Sequence, residues 1–131
     1  MSSIFTKIIN KEVPSHIVAE TEDYIAFMDT NPNCIGHTLC VPKQEVDDLF
    51  HLDEKTYHGL MEFTHQISNA IKKAMDCKRV GMAVIGLEVP HAHIHLLPIN
   101  SMDDFSFDKD RKVPQSDQEL QAVMLKIQEK I

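Results

Sequence analysis

Between Val89 and Pro98 the chain reads Val-Pro-His-Ala-His-Ile-His-Leu-Leu-Pro, with a histidine at every second position from 91 to 95 and apolar residues in the gaps. In an extended strand, side chains two apart share a face, so His91, His93 and His95 project together while Ala92, Ile94 and Leu96 point the other way. A helix is excluded, because two-residue spacing turns the imidazoles about 200° apart around its axis. The remainder of the chain has to supply a scaffold for a row of imidazoles backed by a core.

That scaffold is legible in chain order. Ile4, Phe5, Ile8 and Ile9 lie at helical spacing behind Ser2 and Ser3, either of which can cap, and Pro14 is expected to end this short helix. The runs 16–20, 24–28 and 36–41 read as strands separated by Thr21-Glu22-Asp23 and by the loop Asp29-Thr30-Asn31-Pro32-Asn33. Strands joined this closely pair antiparallel. Asp53 is the expected N-cap of the longest helix, whose stripe is Tyr57, Leu60, Met61, Thr64, Ile67, Ile71, Ala74 and Met75; His58 and His65 fall off it, as surface histidines do. Residues 79–85 and 91–99 complete the strands. An irregular loop, 100–114, carries Phe105 and Phe107, and Ser116 caps a last helix with a stripe of Leu120, Val123, Met124, Ile127 and Ile131. The expected fold class is α+β: a five-stranded antiparallel sheet with one long helix, a short N-terminal helix and a C-terminal helix. Residues 1–131 form a single domain, with 100–131 as its appendage.

Charge narrows the partners. With 13 basic and 20 acidic residues the formal net charge is −7. This disfavours nucleic acid and offers no basic patch for a membrane, leaving small molecules or other proteins. The N-terminus lacks the layout of a signal peptide and no apolar run is long enough to span a bilayer, so a cytoplasmic setting is expected. Cys34, Cys40 and Cys77 are odd in number and contain no Cys-x-x-Cys, so reduced, mostly buried thiols are expected in place of disulfides or a cysteine zinc site.

Spacing alone leaves the imidazole row with two chemistries. Histidines are common zinc ligands, and a strand can present two ring nitrogens to one ion. Equally, one imidazole can attack an electrophile while its neighbours move protons and stabilise charge.

The run His91-Ala92-His93-Ile94-His95-Leu96-Leu97 resembles the His-φ-His-φ-His-φ-φ signature, φ being apolar, of the histidine triad (HIT) family. Ser3-Ile4-Phe5-Thr6-Lys7-Ile8-Ile9 with Glu12-Val13-Pro14, Ala26-Phe27-Met28-Asp29 and Gly36-His37-Thr38-Leu39-Cys40-Val41-Pro42-Lys43 resemble its upstream segments, closest to the nucleoside phosphoramidase branch. The resemblance implies a nucleotide-binding hydrolase that cleaves a substituted α-phosphate and releases a nucleoside monophosphate. By position, His93 is the nucleophile, forming a transient nucleotidyl-histidine, and His91 and His95 flank the phosphate. Ile4, Phe5, Ile8 and Phe27 surround a purine base, Asp29 accepts from the ribose hydroxyls with Thr30 beside it, and His37 supports the triad. A homodimer is implied, and no cofactor. Where many members carry a zinc-binding Cys-x-x-Cys, this chain has Ser3 and Thr6, so no metal is expected. The segment Ile85-Gly86-Leu87-Glu88-Val89-Pro90 is several residues shorter than the Asn- and Gly-rich segment usual in the family, and lacks the amides that hold phosphate and leaving group. That departure favours the alternative of a nucleotide-binding or scaffold protein with little catalysis.

Overall fold

The computed structural model describes residues 2–131. The elements are α1 (Ile4–Ile9), β1 (Ile17–Glu20), β2 (Tyr24–Met28), β3 (Thr38–Pro42), α2 (Glu54–Ala74), β4 (Arg79–Ala83), β5 (Ile94–Ile99) and α3 (Asp117–Gln128), with short 3₁₀ turns at Leu49–His51, Met102–Asp104 and Lys109–Arg111. The five strands form one sheet in the order β1-β2-β3-β5-β4, every neighbouring pair antiparallel.

Alternation along the central strands sends side chains to two separate cores. Ala26, Met28, Cys40, Ile94 and Leu96 pack with Leu60, Ile67 and Ile71 of α2 and with Leu120, Val123, Met124 and Ile127 of α3. On the opposite face Ile25, Phe27, Leu39 and Val41 pack with Phe5 and Ile8 of α1. β3 is buried along its whole length because both faces are covered. His95 pairs with Leu39 across β3 and β5, so the imidazoles lie on the α1 side.

Several boundaries differ from the sequence expectation for local reasons. α1 stops at Ile9, well before Pro14. Lys11 takes a left-handed φ of 62°, and the Lys11 and Glu12 amides donate back to the Ile8 and Lys7 carbonyls, closing the helix as a Schellman turn. β5 begins at Ile94, not His91. β3 runs on to Pro42, but its pairing with β5 stops at Cys40 and Ile94, and the Ala92 amide donates to Val46 O at 2.7 Å instead of joining the ladder. β4 likewise ends at Ala83, two residues early. α2 buries Phe63 and Ala70 beside its expected stripe. α3, capped by the reciprocal Ser116–Glu119 box, ends at Gln128 and leaves Ile131 59% exposed.

The 100–114 segment is fastened at several points. Phe105 packs over Gly81, the Val113 amide donates to Pro32 O at 2.8 Å, and Asn33 Nδ2 donates to Asp108 O at 3.2 Å. A Cβ on Gly81 would stand 2.6 Å from Phe105 Cε1, a distance ring and backbone cannot both keep. Gly81→Ala is therefore expected to cost about 1–3 kcal/mol by overpacking and to loosen this segment. Hydrogen exchange should show lost protection at Val113 with β2 and β3 unaffected; unchanged protection at Val113 would show that Phe105 is not an anchor.

Candidate active site

His91 is fully buried, and both its ring nitrogens are engaged. Nε2 lies 2.8 Å from the Pro42 carbonyl, which can only accept, so Nε2 carries the proton. Nδ1 then accepts from the Ser3 hydroxyl at 2.8 Å. Ser3 is also the N-cap of α1, its Oγ accepting from the Thr6 amide at 3.0 Å. Glu45 Oε1 completes the cluster, accepting from the Ser3 amide at 2.7 Å and the Thr6 hydroxyl at 2.6 Å. These amide and hydroxyl donors hold the Glu45 carboxyl below the usual carboxylate range.

The His91 carbonyl in turn accepts from His93 Nδ1–H at 2.7 Å. In the neutral ring this leaves an unprotonated Nε2, without a partner among the described residues. Burial lowers the pKa of both His91 and His93 from 6.5, the carbonyl bonds opposing it in part. A second pair adjoins them. The Asn33 amide donates to His37 Nδ1 at 3.1 Å, which puts the His37 proton on Nε2; that nitrogen is 2.9 Å from His95 Nδ1. The His95 proton consequently sits on Nε2. His37 and His95 are both held well below the ordinary histidine range, chiefly by burial. All four rings are thus neutral, with fixed tautomers.

His93 and His95 line a cavity of about 360 Å³, together with Phe5, Leu39, Asp29, His37, Phe107 and the 85–89 loop. Such a volume suits a small organic ligand. Phe5 meets the His93 ring edge-to-face at 5.0 Å, and Phe107 meets His95 at 4.9 Å. Asp29 Oδ1 accepts from the Asn31 amide at 2.8 Å, and Oδ2 is 3.6 Å from His37 Nε2. Ligand atoms of Asp29, His37 and His95 come within 4.8 Å of one another, close enough for a metal ion. A cation on His37 Nε2 would force the His37 proton onto Nδ1, against the Asn33 amide, so the hydrogen-bond pattern suits neutral imidazoles better than a metal. A larger groove of about 630 Å³, lined by Cys34, Met75, Cys77 and Pro98 among others, contains no histidine.

Of the residues expected at the site, the structure brings Phe5, Asp29, His37, His93 and His95 to one cavity. Ile8 and Phe27 lie in the core behind Phe5, Ile4 is 46% exposed, Thr30 is exposed, and His91 is turned into the Ser3–Pro42 bonds. Phe107 and Lys112 of the C-terminal segment also line the cavity, although no motif there points to it. Asn31 and Asn33, read only as loop residues, line it as well.

A HIT-domain family model matches residues 10–102. An uncharacterized HIT-like protein of Borreliella burgdorferi is 37% identical over 117 residues, covering 84% of each chain. Adenosine 5'-monophosphoramidase HNT1 of Saccharomyces cerevisiae is 33% identical over 98 residues, covering 72% of this chain and 61% of the yeast protein. The crystal structure of a Hit-like protein involved in cell-cycle regulation from Bartonella henselae superposes with a TM-score of 0.87 at 28% identity, covering 99% of this chain and 96% of that one. With the family match extending over most of the chain and the Borreliella burgdorferi relative 37% identical over 84% of both chains, the chain belongs to the HIT-domain family.

Proposed function

We propose that this chain is a nucleotide-binding hydrolase that cleaves a substituted α-phosphate, such as a purine nucleoside phosphoramidate, through a nucleotidyl-His93 intermediate. The observation that carries the reading is the His93 Nδ1–H bond to the His91 carbonyl, which leaves a neutral, unprotonated Nε2 on a ring lining the cavity. The yeast relative named as an adenosine 5'-monophosphoramidase supports the reaction class. A homodimer, whose mass light scattering measures, and a cytoplasmic setting belong to the same reading.

In the proposed sequence Nε2 attacks phosphorus, the phosphorus–nitrogen bond breaks, and the departing amine takes its electron pair and a proton from solvent. Water then attacks phosphorus and gives up a proton to solvent, the bond to Nε2 breaks with its electron pair returning to the ring, and the monophosphate leaves. His95 Nε2–H donates to a phosphate oxygen as charge accumulates there. Asp29 accepts from the ribose, and Phe5 supplies an apolar wall for the base. His91 acts through its carbonyl, by holding the His93 ring.

Incubation with adenosine phosphoramidate should release AMP, and mass spectrometry of quenched samples should detect an adenylate on His93. His93→Ala is expected to lower turnover by at least about a thousandfold. Equal and negligible release by both proteins would leave the binding or scaffold alternative that the short 85–90 segment favours.

The pH profile follows from the lowered pKa of His93. Attack requires the neutral ring, and a depressed pKa keeps it neutral further into acid. kcat/KM is expected to hold level as pH falls through 6.5, the ordinary histidine value, and to drop only below it. An acid limb centred at or above 6.5 would contradict the buried neutral ring.

Ser3→Ala removes both the cap of α1 and the donor to His91 Nδ1. Expected consequences are a loss of about 1–3 kcal/mol in unfolding free energy and a kcat about tenfold lower at nearly unchanged KM, as the His93 ring loosens. Ser3→Thr should restore much of both. A KM effect alone would place Ser3 in binding, not in positioning.

A further inference from the structure

The cavity that holds His93 and His95 is acidic at its rim, with the carboxylates of Asp29 and Glu88, in a chain of net charge −7. An anionic phosphate needs an opposing charge there. Lys112 is the one lysine or arginine among the lining residues, and it lies in the segment between the last 3₁₀ turn and α3, outside the matched family model. Its Nζ donates to Asn31 O at 2.9 Å and to Asn33 Oδ1 at 3.0 Å. An ammonium has three donors, and the third is without a partner among the described residues.

We propose that Lys112 is a substrate-binding residue that takes an anionic oxygen of the α-phosphate on the His95 side of the cavity; the proposal rests on the nucleotide-binding reading above. Fastening the loop does not require this ammonium, because Val113 N–H to Pro32 O and Asn33 Nδ2–H to Asp108 O already tie the two segments. The neighbouring cation, Arg111, is committed elsewhere, donating to Asp103 O at 2.7 Å. The charge of Lys112 also reaches the imidazoles, since it opposes protonation of both His37 and His95. The C-terminal segment thus contributes the counter-charge for a reaction whose nucleophile lies in the triad.

Calorimetric titration of the full chain with AMP and with adenosine separates phosphate binding from loop fastening. Lys112→Gln is expected to weaken AMP by about tenfold or more while adenosine stays within about twofold, and Lys112→Arg should recover most of the loss. In the unsubstituted protein, added salt should weaken AMP and not adenosine. Equal weakening of both ligands would overturn the proposal in favour of a tether, and unchanged binding of both would overturn it outright. If the unsubstituted protein binds neither ligand, the nucleotide reading itself falls, and the role of Lys112 with it.

Discussion

A buried imidazole has to be satisfied at both nitrogens, and the structure around His91 is built to meet that demand. Its two bonds join the N-cap of α1 to the end of β3, and its carbonyl fixes the next histidine. Leaving either nitrogen without a partner would cost about 1–3 kcal/mol. Removal of the Ser3 donor is felt along the same path, first in the cap of α1, then in the backbone carrying His93. The placement of Phe5 against His93 depends on it too, because α1 is only six residues long and has little stability of its own. The short helix is held by the sheet, and the triad is held in part by the helix.

The antiparallel sheet, the long helix and the imidazole face were legible in the sequence because each is written in a two- or near-four-residue period. The triad's first two histidines lie ahead of the ladder for a reason outside that period: β4 ends at Ala83, opposite His95, and the Ala92 amide donates to Val46 O instead of to β3. Periodicity tells which side a residue faces, and a partner's length decides whether it is in the sheet. The same limit applies to His91. It shares the spacing of His93 and His95, yet its bonding is set by Ser3 and Pro42, residues 88 and 49 positions away. Asp29, His37 and Phe5 could be named from resemblance; Lys112 could not, since it reaches the cavity through a loop with no regular pattern.

Electrostatics separates the interior of the site from its rim. Burial keeps four imidazoles neutral, and each ring's proton is assigned by a carbonyl, an amide or another imidazole. Among the described residues that line the cavity, charge is carried by Asp29, Glu88 and Lys112. Neutral imidazoles and a charged rim are compatible because the hydrogen bonds, rather than ionic attraction, orient the rings.

The docking of residues 103–113 across the loop at 31–33 also has a temporal meaning. Lys112 lies 81 positions from the carbonyl it holds, and Val113 bonds to Pro32 across the same interval. During synthesis the sheet strands and the triad emerge from the ribosome before this segment. A chain interrupted near residue 100 would carry every histidine of the triad and lack one wall of its pocket. Completion of the cavity therefore comes late in the chain's own assembly, so a fragment that retains the motif is not equivalent to the finished site.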